Sequence, residues 1–277
     1  MKFTDSHCHL DFDEFNRFDK QNKQLISQCY TANIHQIIVP AIHPDNWQKV
    51  LTIAAQYSQN KFTDQMEKIT KPTIYACLGI HPWFLTNLNH THLDNLASNV
   101  QKNINNIVAI GETGIDGGII KQQDNLSQQI DFFSYQLQLA KTHHLPVIVH
   151  HRQSHQHIVP ILKKLQLTES GIIHAFSGSY QQAKDYLDLG FKLGIGGTIT
   201  YPRARKTINA IKRLPLSSLV LETDAPAMPL FGQQGEVNSP LALINVFEHL
   251  VELRDENKEE IAQQIELNIN QVFTLNK

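Results

Sequence analysis

Apolar residues in this chain fall in short β-branched runs, separated by longer stretches where they recur every three or four positions. The short runs predict buried strands, and the longer period predicts amphipathic helices. The first run opens Phe3–Asp11 (FTDSHCHLD) as a short strand. A helix over Gln21–Asn33 follows, with Leu25, Ile26 and Cys29 on one side, then a strand over His35–Ala41. Asp45 is placed to cap the next helix, which runs through Tyr57. Further strands are predicted over Thr73–Ile80, Ile107–Gly111, Pro146–Val149, Gly171–Ile173, Phe191–Ile195 and Leu219–Leu221. Helices are predicted over His92–Asn105, Asn125–His143, Gln156–Leu165, Gln181–Leu189 and Arg203–Leu214, and two more, Pro240–Arg254 and Lys258–Asn270, finish the chain.

Eight buried strands alternating with helices describe an α/β fold, the (β/α)8 TIM barrel. At 277 residues and 41% hydrophobic, the chain has the size and apolar content for a single barrel domain over residues 1–277. A doubly wound open sheet is the rival architecture. It uses fewer strands and often a Gly-rich turn after the first, where this chain carries histidines.

Composition narrows the function. A net charge of −2 excludes capture of nucleic acid along the whole surface, so any such role rests on a local patch. The three cysteines, Cys8, Cys29 and Cys77, form no CxxC pair and suit buried, reduced thiols. The start MKFTDSHC lacks a secretory pattern, and no apolar run approaches the roughly 18 residues of a membrane helix. The expectation is a soluble cytoplasmic protein with no membrane association and no evident obligate protein partner.

The 15 histidines are the outlying feature. On a strand, alternate side chains share a face, which groups Asp5, His7 and His9 and turns Cys8 away. Two such imidazoles can grip a divalent cation, or simply pack. The strand ends decide between these readings. His7 and His9 follow strand one, Glu112 strand four, His150 strand five and His174 strand six, and Asp224 follows strand eight. In a barrel these ends ring one mouth, where active sites form. Burying so many polar groups without a partner is costly, so a metal site is predicted there.

The segments FTDSHCHLD, GIHP, AIGETGID, PVIVHHR, GIIHAFSG and LETDAP together resemble the motif series of the TatD family of metal-dependent deoxyribonucleases, within the amidohydrolase-like superfamily. The resemblance spans essentially the whole chain, and GGTITYPRA and DAPAMPL resemble the YjjV-like subgroup. It implies a nuclease, a hydrolase with two divalent ions: His7, His9 and Asp224 on one, His150 and His174 on the other, and Glu112 bridging both. It also implies that Asp224 acts as general base on a water that attacks a DNA phosphodiester, the expected substrate. Mixed imidazole and carboxylate ligands suit zinc, manganese, cobalt or iron, with weakly held magnesium also open. Dihydroorotase-like and phosphotriesterase-like relatives bridge their metals with a carboxylated lysine, whereas the matching position here is Glu112.

Substrate contacts are expected from Arg152, which either forks onto a phosphate or pairs with a loop carboxylate. His81, after strand three, either packs or hydrogen-bonds substrate or water. Arg203 is the phosphate candidate of the loop after strand seven, with Arg205 and Lys206 read as a solvated face. His151, His155 and His157 follow strand five but are not expected as ligands. The chain departs from the family at Gln153-Ser154, where many members carry an acidic residue and Ala. It departs again at GETGIDGG, in place of GEIGLD followed by an aromatic residue. Both lie on the rim, leaving the substrate open. Hydrolysis of another ester or amide, including an aminoacyl ester on RNA, is the alternative activity, and non-catalytic metal or partner binding the alternative class.

Overall fold

The structure, a computed structural model, describes residues 1–16, 19–58 and 71–275. The rest of the predicted 1–277 domain lies outside the described residues. Eight strands form one sheet: β1 (Phe3–Asp5), β2 (Ile34–Pro40), β3 (Thr73–Leu78), β4 (Ile107–Asp116), β5 (Val147–Arg152), β6 (Gly171–Ile173), β7 (Lys192–Ile195) and β8 (Leu219–Leu221). They pair in chain order, each parallel to the next. The helices are α1 (Asp13–Asn16), α2 (Asp19–Thr31), α3 (Trp47–Gln56), α4 (His90–Lys102), α5 (Gly117–Gln123), α6 (Leu126–His143), α7 (His155–Leu165), α8 (Tyr180–Leu187), α9 (Arg205–Ile211), α10 (Leu243–Leu253) and α11 (Lys258–Val272). Just past β1 and β8 the seam is laced by Ser6 N donating to Leu221 O at 3.0 Å and Asp224 N to His7 O at 2.9 Å. The fold is the predicted (β/α)8 barrel.

Alternation along the strands divides the core. Ile37, Val39, Ala76, Leu78, Val147 and Val149 pack outward with helix residues such as Val50, Leu96 and Phe133. Ile38, Cys77, Ala109, Ile148, Ile172 and Val220 pack together instead. Side chains from six strands can meet only across the barrel interior. Ile269, Phe273 and Leu275 join that cluster, so the C-terminal segment closes the barrel end opposite the mouth.

Two strands run further than their apolar pattern. The predicted β4 and β5 stop at Gly111 and Val149, but pairing continues through Gly114↔His150 and Asp116↔Arg152. His150 therefore sits within a strand, held by the ladder, while Glu112 lies in β4 at the irregularity between Ile110 and Thr113, its N–H donating to Ala41 O at 2.8 Å. Gly114 permits the close pairing, since a Cβ there would lie 2.1 Å from the His150 carbonyl oxygen. The predicted cap at Asp45 is replaced: a single 3-10 turn, Pro44–Asn46, precedes α3, and His43 Nδ1 accepts from Asp45 N. Helix α5 escapes the pattern because GGII opens with two poor helix formers. Asp116 starts it, its Oδ1 accepting from Gly118 N at 2.7 Å and Ile119 N at 2.9 Å.

Helix α11 is tied to β1 by Glu266, which accepts from Thr4 N at 2.7 Å and Thr4 Oγ1 at 2.8 Å. Burial pushes its carboxyl up to about 7, against the pull of those two donors. A carboxyl raised on folding binds more protons in the folded state than in the unfolded chain. Its stabilising contribution is then complete below the ordinary carboxylate range and is lost as pH rises toward 7. Comparing denaturant unfolding of wild type and Glu266→Gln across that window should show the wild type losing up to about 3 kcal/mol relative to the variant. A difference independent of pH would contradict this.

Candidate metal centre

β1 ends at Asp5, so His7 and His9 stand on the extended segment beyond the strand, not on it. Their placement comes from backbone bonds on both sides: His9 N donates to Ala225 O at 2.8 Å across the seam, and Cys8 N to Ile38 O of β2 at 3.1 Å. Asp5 does not join their row. It accepts from Thr223 N at 3.0 Å, Thr223 Oγ1 at 2.6 Å and His7 N at 3.2 Å, fixing the two segments that carry His7 and Asp224. Burial pushes Asp5 up to about 7.

The six predicted ligands converge. His7 Nε2 lies 3.1 Å from His9 Nε2, 3.2 Å from Glu112 Oε2 and 3.6 Å from Asp224 Oδ1. His9 Nε2 lies 3.6 Å from Glu112 Oε2 and 3.5 Å from Asp224 Oδ1. His174 stacks on His7 with ring centroids 3.5 Å apart, and its Nε2 is 3.5 Å from Asp224 Oδ1. The other Glu112 oxygen, Oε1, faces away from these, 3.0 Å from His150 Nδ1 and 3.3 Å from His81 Nε2. One carboxylate thus turns an oxygen to each of two donor groups.

His81 is set back against Glu112. It is buried, and its Nδ1 accepts from Trp83 N at 3.1 Å, which leaves the proton on Nε2, facing Glu112. Burial lowers its pKa to about 4, so a neutral imidazole stands beside the carboxylate. Arg152 is half exposed at the rim, its guanidinium 6.0 Å from the Trp83 ring centre and 3.8 Å from Asp116 Oδ2. Arg203 lies on Tyr201, 5.0 Å from its ring centre, beside a smaller cavity. Lys206, read from the sequence as a solvated face, instead lines the main cavity of about 900 Å³ above the centre. His155 binds Asp185 at 3.0 Å.

Two carboxylates were missed although both stand in motifs already noticed. Asp116 accepts His150 Nε2–H at 2.9 Å, and Glu222 Oε1 lies 3.1 Å from His174 Nδ1, a close charge contact without hydrogen-bond alignment. Glu222 also accepts from Ala175 N at 2.6 Å. A Cβ at Gly194 would lie 2.1 Å from Glu222 Oε2, so glycine makes the space for this carboxylate. Each ends an apolar run in a buried position. The signal was that a buried carboxylate needs a donor.

These residues fit a divalent cation. The sets His7, His9 and Asp224, then His7, Glu112 and His174, and His81, Glu112 and His150 each bring donor atoms within 4.8 Å of one another. Burial opposes the charge on Glu112 and Asp224, yet the surrounding histidines hold both carboxyls below their usual range. Every ion-pair partner of these two among the described residues is a histidine. Imidazole and carboxylate at such spacing are the donors a borderline divalent ion takes.

Comparison with known proteins agrees. The TatD related DNase family matches residues 4–274. The metal-dependent hydrolase YjjV of Escherichia coli K12 is 40% identical over 274 residues, covering 99% of this chain and 97% of that protein. A Haemophilus influenzae metal-dependent hydrolase is 36% identical over 277 residues, covering 99% of this chain and all 100% of its own length. The crystal structure of Escherichia coli YjjV superposes with a TM-score of 0.88 over 99% of this chain and 98% of that one. A TatD family hydrolase from Entamoeba histolytica, 20% identical, shares the fold with a TM-score of 0.84 over 99% of this chain and 98% of its own.

Glu112 faces both donor groups, so its removal should damage both. After dialysis against trace zinc or manganese, Glu112→Ala should retain little of the metal the wild type holds. Its affinity should fall by more than the roughly 10–100-fold that losing an outer partner costs. Wild-type metal content in the variant would refute its placement at the heart of the site.

Proposed function

Because the chain belongs to the TatD-related DNase family, we propose that it is a divalent-metal-dependent hydrolase acting on DNA phosphodiester bonds. The observation that carries this reading is Glu112, with Oε2 turned to His7 and His9 and Oε1 to His150. In this reading His7, His9 and Asp224 would hold one ion, His150 would hold the other with His174, which lies nearer His7 and Asp224 in this structure, and Glu112 would hold both. Zinc, manganese, cobalt, iron or magnesium bound there would polarise a phosphoryl oxygen and make water a stronger nucleophile.

The chain's own groups supply the remainder. Asp224, kept charged by its histidine neighbours against the cost of burial, is the acceptor for the water's proton and returns it to the leaving oxygen. His81 carries its proton on Nε2, 3.3 Å from Glu112 Oε1, and so sets a neutral N–H beside the carboxylate. The cavity above is lined by Arg152 and Lys206, cations suited to a phosphate, and by Trp83 and Phe84, both partly exposed and able to stack on a base. With a net charge of −2, binding must rest on such local cations. Among the described residues no helix is long and apolar enough to cross a membrane, and Cys8, Cys29 and Cys77 are buried free thiols, which supports work in the reducing cytoplasm.

Two experiments probe this. Asp224→Asn keeps an oxygen that can coordinate but removes the base. Turnover should collapse while substrate affinity changes little, and equal loss of both would confine Asp224 to binding. Arg152→Ala with Lys206→Ala should weaken DNA binding and flatten its log–log salt dependence by about 0.7–0.9 per lost phosphate contact. An unchanged slope would mean these cations do not hold phosphate. Should wild type cut no DNA with any divalent ion yet hydrolyse an aminoacyl or other ester, the nuclease reading falls and the ester one replaces it.

A further inference from the structure

The centre's imidazoles are not held alike. The outward nitrogens of His7 and His9, both Nδ1, are buried with no hydrogen-bond partner, and His174 has only the unaligned contact with Glu222. His150 alone among the four has an aligned partner on each side, Glu112 at Nδ1 and Asp116 at Nε2. Asp116 is fully buried and saturated by donors. Its Oδ1 takes Gly118 N and Ile119 N, and its Oδ2 takes Trp83 Nε1 at 2.7 Å and His150 Nε2 at 2.9 Å. A carboxylate accepting from three donors that cannot reverse requires the fourth, His150 Nε2, to carry its proton. Nδ1, 3.0 Å from Glu112 Oε1, also faces an acceptor-only carboxylate, so in the metal-free protein it carries a proton that a bound ion would displace.

We infer that Asp116 is a positioning residue that keeps the Nε2 proton of His150 in place, leaves Nδ1 as the nitrogen that takes an ion, and so sets the affinity of the ion on the His150 side. The inference rests on the two-ion reading above. It also separates the two halves of the site: His150 is preset by a carboxylate anchored to the start of α5 and to the rim residue Trp83. His7 and His9 are placed by backbone bonds and have no such partner. Outer partners of this kind orient the ligand and raise its basicity.

The test is metal binding by the metal-free protein, without substrate. Titrating zinc or manganese into wild type and Asp116→Asn should show one of two affinities lowered by about 10–100-fold in the variant and the other unchanged. Asparagine must set its NH2 against one pair of N–H donors, so the contact cannot simply persist. Trp83→Phe removes one donor from the same oxygen without burying a new polar group, and should weaken the same ion by a smaller factor. Nitrogen-15 spectra of the zinc-loaded protein provide the second readout. His150 should be protonated at Nε2 in wild type and lose that single-tautomer signature in Asp116→Asn. Unchanged affinities for both ions, equal loss of both, or a zinc-loaded wild type in which His150 is bound through Nε2 would each overturn the inference. A wild type that binds no divalent ion would instead remove the two-ion reading itself, a distinct result.

Discussion

The arrangement depends on two carboxylates, buried Glu112 and partly buried Asp224, that have only histidines as counter-charges among the described residues. Charges of one sign brought into a barrel mouth without lysine or arginine beside them are costly to bury. A divalent cation between them reverses that balance, because each donor atom already faces inward. The rest of the site follows from holding these atoms: Asp5 fixes the β1 and β8 extensions, His81 sets an N–H beside Glu112, and Asp116 and Glu222 stand behind the histidines of β5 and β6.

The barrel makes this convergence inexpensive. Parallel strands end at one mouth, so residues as distant in sequence as His7 and Asp224 come within 3.6 Å. The opposite end is closed by Phe273 and Leu275, which leaves the mouth free of packing duties. Function and stability thus occupy opposite ends of the same interior.

Much of this was legible in the sequence, and the reasons for the exceptions are physical. Apolar runs bounded by turn residues located all eight strands, and the polar residue closing a run marked most of the cluster. Where an apolar run ended but the strand continued, as at Glu112 and His150, the pattern placed strand ends too early. The strand-face argument grouped Asp5 with His7 and His9, but β1 is too short to reach either histidine, and backbone bonds on both sides place them instead. Asp116 and Glu222 escaped because hydropathy records a carboxylate as polar and cannot show that it is buried opposite an imidazole. Lys206 escaped because a basic residue on a helix reads as solvated until the fold turns that helix toward the mouth.

The central claim is that Glu112 joins two ions, one on each oxygen. Crystals of the protein grown with zinc or manganese, measured at the metal's absorption edge, test it directly. The account predicts two anomalous peaks about 3.5–4 Å apart, one beside His7, His9 and Asp224 and one beside His150 and His174, with Glu112 between them. A single peak on one side of Glu112, or none in the cluster, would contradict it.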